Sequence, residues 1–85
     1  MNMYRWIQTE KARYYQAQLV EDLFGDWTLV SSWGSLDSRQ GRVRKTGVPS
    51  YAAGIDRLRA IDRRRRRHGY RLVQGWTAPP PSPPH

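Results

Sequence analysis

The chain has 85 residues, 38% of them hydrophobic and 12% aromatic, which allows one small domain with a limited core. It contains no cysteine, so disulfide scaffolds and thiolate zinc sites are excluded, and two histidines do not make a metal site. No apolar run approaches the roughly 20 residues that span a bilayer. The first ten residues also lack the apolar core of a signal peptide. We therefore expect a cytoplasmic protein without membrane insertion.

Positive charge is concentrated in the second half of the chain. The formal net charge is +8 overall. Residues 1–38 carry three basic and five acidic residues, whereas residues 39–85 carry twelve basic and two acidic residues. Thirteen of the fifteen basic residues are arginines, whose guanidinium groups suit bidentate contacts with phosphate. This distribution indicates a polyanionic partner, with plain solubility charge as the alternative.

Three strands are predicted in the first part of the chain. Aromatic and β-branched residues favour a strand over residues 3–10. Residues 13–22 alternate with a period of two, which predicts a second strand with one buried face. Its apolar positions are Tyr15, Ala17 and Leu19. A turn at residues 24–26 precedes a third strand over residues 27–33, and the short links predict a meander.

A loop and two further short strands are predicted beyond the third strand. Residues 34–41 are small, polar and bounded by glycines, which is typical of a loop. Residues 42–46 predict a fourth strand, in which Arg42 and Arg44 face away from Val43. Residues 70–73 predict a last strand or docking segment.

One amphipathic helix is predicted over residues 50–68. Ser50 suits the N-cap, because its hydroxyl can accept a hydrogen bond from the first turn, and Gly69 suits the left-handed position that ends a helix. Arg65 falls within the apolar stripe and must snorkel unless the stripe has already left the sheet. Five arginines of the helix fall outside the stripe: Arg57, Arg59, Arg63, Arg64 and Arg67. Spacings of four and three define that stripe: Tyr51, Ile55, Leu58 and Ile61.

The composition changes again after the last predicted strand. Five prolines occur within residues 79–84, which excludes a helix or a central strand there. Such a segment is typical of disorder with a polyproline II preference. We therefore expect a folded domain over residues 1–73 and a Pro-rich disordered tail over residues 74–85.

No catalytic constellation is recognisable, so we expect neither enzymatic activity nor a cofactor or metal. His68 lies within an arginine run and does not complete a Ser-His-Asp set. Asp56 and Asp62 point about 120° apart on the predicted helix, which is too divergent for a paired-carboxylate site. The glycines match neither a phosphate-binding loop nor a dinucleotide fingerprint.

Trp33 and Gly34 form a candidate ligand contact. A tryptophan at the end of a strand can place its ring at the rim of the sheet, where it can stack on a sugar or base. The glycine permits close approach of a ligand or of another backbone segment. The alternative interpretation is a core tryptophan with a turn behind it.

A series of short motifs runs along most of the chain. In order, these are Tyr-Arg-Trp-Ile, Ala-Arg-Tyr-Tyr, Leu-Phe-Gly-Asp-Trp, Ser-Trp-Gly, Gly-Arg-Val-Arg and, after the basic helix, His-Gly-Tyr. This order resembles the WGR domain, which is named for a Trp-Gly-Arg motif and occurs in poly(ADP-ribose) polymerases and in short bacterial proteins. The resemblance implies an α+β fold, an antiparallel sheet of four to five strands with one amphipathic helix packed across it. It also implies nucleic-acid binding, with DNA favoured over RNA.

The family's motif residues carry over only in part. Trp33 and Gly34 match its first two positions, while Ser35 stands where the family has arginine. In the polymerases this motif is where the domain meets a DNA end and neighbouring domains, so the resemblance does not carry the motif's most specific contact over to Ser35. Asp37 stands where the family often has glycine. Arg39, in the same loop, either supplies the missing guanidinium or is a solvated loop charge.

The predicted function is a small non-enzymatic nucleic-acid-binding module that contacts phosphates through arginine and lysine. The predicted binding residues are Trp33, Gly34, Arg39, Arg42, Arg44 and Lys45. For the three basic residues of the fourth strand, the alternative is charge that protects an edge strand from aggregation. A secondary basic patch consists of Arg63, Arg64 and Arg67, for which a solvated helix end or a membrane-surface patch is the alternative. The alternative function is an adaptor that docks an acidic protein through its basic helix and Pro-rich tail.

Overall fold

A computed structural model describes residues 3–75, which form one antiparallel sheet crossed by a single helix. The α+β class is therefore confirmed. In chain order, the elements are β1 (Met3–Gln8), β2 (Arg13–Glu21), β3 (Trp27–Ser35), β4 (Gly41–Val48), α1 (Tyr51–Arg67) and β5 (Arg71–Gln74). No helix among these residues has the length and apolar character needed to cross a membrane.

The strand order is β4-β3-β2-β1-β5, so the predicted meander is correct for the first four strands. Each of these strands pairs antiparallel with the next. The chain then crosses one face of the sheet as α1, and β5 pairs with β1 at the edge opposite β4. As a result β4 and β5 are the two edge strands, at opposite sides of the molecule.

The core lies between α1 and one face of the sheet, because apolar residues alternate along the central strands. In β1, Tyr4 and Trp6 are buried, while Arg5 between them points to the other face. Ala17 and Leu19 of β2 are buried, as the period-two pattern predicted. The buried apolar residues are Tyr4, Trp6, Ala17, Leu19, Leu29, Ile55 and Leu58.

The ends of α1 agree with the capping residues predicted from the sequence, Ser50 and Gly69. The Ser50 hydroxyl accepts a hydrogen bond from the Ala53 amide at 3.1 Å, and Gly69 follows the helix with φ of +86°. Ile55 and Leu58 are fully buried, and the other two residues of the predicted stripe pack against the core. Most of the helix's stability therefore comes from burying this stripe against the sheet.

The β3–β4 connection is shorter than predicted. Gly34 and Ser35 belong to β3 and Gly41 begins β4, so the loop contains only residues 36–40. Gly34 lies directly opposite Gly41 in the ladder. Glycine usually interrupts a strand, but here the two glycines pair with each other and lengthen the hairpin.

The last strand reaches beyond the predicted domain boundary at residue 73. Gln74 pairs with Arg5, and β5 therefore continues to Gln74. Of the tail expected over residues 74–85, residues 76–85 lie outside the described residues.

Candidate nucleic-acid interface

A groove of about 550 Å³ lies between α1 and the core face of the sheet. We call it the helix groove. Tyr15 and Trp33 are among the sheet residues that line it, and Ile61 and Tyr70 add apolar surface. Three elements contribute its arginines: Arg13 from β2, Arg44 from β4, and Arg57, Arg64 and Arg65 from α1. The groove thus combines aromatic surface with cationic walls.

Trp33 stacks on Tyr15 within the helix groove. The two residues are directly opposite each other on β3 and β2, with ring centroids 5.8 Å apart and ring planes at 12°. Trp33 is half-buried and is not one of the fully buried core residues. The ring is therefore supported by the sheet at the margin of the core, in a position to present part of its surface to a ligand.

Arg65 joins the helix to this aromatic surface. Its guanidinium carbon lies 4.7 Å from the ring centroid of Tyr15 and 5.1 Å from that of Tyr70. The sequence left two possibilities for Arg65: that it snorkels, or that the apolar stripe has left the sheet by that point. The side chain snorkels, because it extends from the stripe to the sheet and places its charge over two rings. Cation–π contacts of this kind contribute about 0.5–2 kcal/mol.

The other arginines of the run have different surroundings. Arg66 pairs with Asp62 one turn earlier, at 2.9 Å. Arg64 lines the helix groove, whereas Arg63 and Arg67 are exposed outside it. The predicted secondary patch is therefore divided, with one of its three arginines facing the groove.

A second concavity, of about 540 Å³, lies at the end of the β3–β4 hairpin, and we call it the hairpin hollow. Arg42 lines this hollow, while Arg44 lines the helix groove. Trp33, Gly34 and Arg13 line both. The two concavities therefore meet at Trp33.

The predicted residues of β4 and its preceding loop do not all gather at one site. Arg42 is directly opposite Trp33, and Arg44 is directly opposite Ser31, so both share the core face of the sheet. Lys45 is opposite Val30, on the other face. Arg39 is exposed in the loop and lines neither concavity. The structure thus brings Arg42 and Arg44, but not Lys45 or Arg39, beside Trp33.

Gly34 lies directly opposite Tyr14 on the β2–β3 ladder, and little space is left there for a side chain. A Cβ atom on Gly34 would lie 3.3 Å from Cε1 of Tyr14 and 3.1 Å from the carbonyl oxygen of Gln40. On Gly41 it would lie 2.5 Å from the Tyr14 hydroxyl. The close approach expected at Gly34 is made by a neighbouring ring and backbone, which hold the hairpin against β2.

A comparison with protein families identifies the domain. The family model described as the WGR domain matches residues 3–75. The chain belongs to the WGR family. WGR domains are in general small nucleic-acid-binding modules that are not catalytic by themselves. No curated protein and no solved structure shows a significant match to the chain.

Several residues of this WGR domain's concavities were missed by sequence reasoning. Arg13 and Tyr15 share one face of β2 by alternation, which was a usable signal. Their position beside Trp33 depends on the strand register, which the sequence does not show. Arg57 reaches the groove only through the orientation of α1 over the sheet.

Proposed function

We propose that this WGR domain binds nucleic acid, without catalysis, in the helix groove and the adjoining hairpin hollow. Arginines neutralise backbone phosphates, and Trp33 stacks on a base or contacts a sugar. One observation carries the proposal: the stacked Trp33–Tyr15 pair lies in a groove lined by arginines of β2, β4 and α1. Aromatic surface beside a cationic track is the arrangement that binds flexible nucleic acid strands.

The distribution of charge supports an anionic ligand at this position. Five arginines line the helix groove, and none of its described lining residues is acidic. Three acidic residues occur near the opposite end of the β2–β3 hairpin, namely Glu21, Asp22 and Asp26. The groove is therefore a local concentration of positive charge, which attracts phosphate and repels basic partners.

DNA is the proposed partner in preference to RNA. The support is the resemblance to the polymerases, whose motif meets a DNA end, together with membership of a nucleic-acid-binding family. Arginine contacts to phosphate carry no sequence information by themselves, so we expect little sequence preference.

The test is fluorescence anisotropy with blunt duplex DNA, nicked duplex DNA, single-stranded DNA, single-stranded RNA and heparin at several salt concentrations. We expect DNA to bind more tightly than RNA and heparin. On duplex DNA, the slope of log affinity against log salt concentration should be about −0.9 for each neutralised phosphate. Equal affinity for heparin and DNA would indicate a surface that binds polyanions in general.

A matched pair of double variants locates the site. Arg44→Glu/Arg64→Glu changes two residues of the helix groove, whereas Arg63→Glu/Arg67→Glu changes two exposed residues outside it. Both variants reverse two arginines, so a located site predicts a much larger loss from the first. Equal losses would contradict the site. Absence of binding to every nucleic acid at low salt, with binding to an acidic protein, would support the adaptor function instead.

A further inference from the structure

The hairpin hollow collects three cations from separate parts of the chain. Lys11 belongs to the β1–β2 turn, Arg13 begins β2, and Arg42 lies in β4. The Leu36 amide donates a hydrogen bond to the Ala12 carbonyl at 2.7 Å, which ties the β1–β2 turn to the β3–β4 hairpin. The cations are therefore held around one concavity by backbone structure.

Two hydroxyl groups in the hollow are oriented by the loop's own backbone. Ser35 Oγ accepts from the Asp37 amide at 3.1 Å, and Ser38 Oγ accepts from the Gln40 amide at 3.0 Å. Because each hydroxyl uses its oxygen as an acceptor there, its proton remains available for donation. The described lining residues of the hollow include no carboxylate. Ammonium, guanidinium and hydroxyl donors together suit an anion with several acceptor oxygens, such as a phosphate.

Arg13 has the central position among these groups. It is directly opposite Ser35 on the β2–β3 ladder, and it lines both the hairpin hollow and the helix groove. Directly opposite residues of an antiparallel pair have Cβ atoms about 4.5–5.5 Å apart, and their side chains share one face. The long Arg13 side chain therefore has access to the space beside the short Ser35 side chain.

We infer that the hairpin hollow is a phosphate subsite for a phosphodiester group next to the nucleotide at Trp33, and that Arg13 supplies its guanidinium where Ser35 has none. The inference rests on the proposed function, because it names a contact within the same nucleic-acid site. Lys11 and Arg42 add charge on either side of Arg13, and the two serine hydroxyls add neutral donors.

The test moves the guanidinium group from position 13 of β2 to the directly opposite position 35 of β3. Arg13→Ser, Ser35→Arg and the double swap Arg13→Ser/Ser35→Arg are compared with the wild-type chain by anisotropy on the same DNA. We expect Arg13→Ser to weaken binding about tenfold, the scale of one charge-assisted contact, and to reduce the salt slope by about 0.9. The double swap should restore most of the affinity. The control is Arg71→Ser, an exposed arginine of β5 at the opposite edge of the sheet, which removes the same charge with little effect.

The outcomes separate this inference from the proposed function. Arg13 is exposed, so Arg13→Ser should keep the wild-type Tm, which is measured for every variant. If the wild type binds DNA but Arg13→Ser and Arg71→Ser behave alike, the phosphate subsite is wrong while the proposed function stands. A double swap that stays as weak as Arg13→Ser would show that Arg13 does not serve the position of Ser35. A wild-type chain that binds no nucleic acid would overturn both.

Discussion

The indole Nε1–H of Trp6 donates a hydrogen bond to Oδ1 of Asp62 over 2.9 Å, linking the sheet to α1. Trp6 has 0% of its surface exposed, so its indole nitrogen depends on a partner within the protein. The same oxygen, Oδ1 of Asp62, also accepts a hydrogen bond from Nε of Arg66 at 2.9 Å. This carboxylate therefore helps fix the position of α1 over the sheet, and with it the width of the helix groove.

Asp62→Ala should destabilise the domain by about 1–3 kcal/mol, because it leaves the buried indole nitrogen of Trp6 without its acceptor. Urea unfolding followed by circular dichroism measures the change. Asp56→Ala is the control, since Asp56 is an exposed carboxylate of the same helix and its removal changes the net charge equally. Equal losses from the two variants would mean that charge, and not the Trp6 hydrogen bond, determines the effect.

Leu58→Ala should cost roughly 2–5 kcal/mol of unfolding free energy, because Leu58 is buried in the core between α1 and the sheet. Native domains have only about 5–15 kcal/mol in total, so a substantial unfolded fraction is expected. The comparison is Arg64→Ala, an exposed position of the same helix. A loss below about 0.5 kcal/mol at Leu58, the range of surface substitutions, would contradict this packing.

The parts of the fold that follow from local chemistry were predictable. The Ser50 cap, the stripe through Leu58 and the left-handed Gly69 depend on residues close in sequence, and all three were correct. The extension of β3 was missed because Gly34 is matched to Gly41 and to the Tyr14 ring, which lie elsewhere in the chain. A glycine therefore ends or continues a strand according to contacts that the sequence does not display.

The candidate site was also predictable only where its residues are close in sequence. Trp33 and Arg44 were both named as candidates from the sequence because they flank one loop, whereas Arg13 joins them in the groove through the β2–β3 register. The separate position of Lys45 was predictable, because adjacent strand residues point to opposite faces and Arg44 faces the groove. The grouping of candidate residues could thus be predicted within the β3–β4 hairpin, but not across to β2 or from helix to sheet.

Arg65→Ala should lower stability by about 0.5–2 kcal/mol, because it removes a guanidinium from two tyrosine rings. Thermal and urea unfolding provide the measurement. Arg63→Ala, an exposed arginine two positions earlier, is the control with the same charge change. Arg65→Lys should recover only part of the loss, because an ammonium does not stack as a planar guanidinium does. If Arg65→Ala is no more harmful than Arg63→Ala, the two ring contacts do not stabilise the domain.

Tyr4 should make the domain less stable in alkaline solution. Burial raises the pKa of the Tyr4 phenol above its ordinary value of 10.0, with smaller effects from neighbouring charges. The pKa of Tyr4 is higher in the folded chain than in the unfolded chain. The contribution of neutral Tyr4 to the free energy of unfolding is therefore complete below about pH 10, and it decreases above that pH as Tyr4 ionises in the unfolded chain. Urea unfolding between pH 8 and pH 11 should give a smaller decrease for Tyr4→Phe than for the wild type. Equal slopes would show that Tyr4 does not contribute to the alkaline loss.

Trp33→Ala should weaken binding to single-stranded DNA by about 1–3 kcal/mol if a base stacks on the indole, with little change in the number of phosphate contacts. Anisotropy titrations should therefore show a higher Kd with nearly the same salt slope. Trp27→Ala is the control, because Trp27 lies at the opposite end of β3 and packs on Tyr51, with ring centroids 5.0 Å apart. The Kd of each variant is measured below its own Tm, so that loss of fold is not read as loss of binding. A Trp33 variant that is folded and binds as tightly as the wild type would leave arginine–phosphate contacts as the whole of the interaction and exclude Trp33 as a stacking surface.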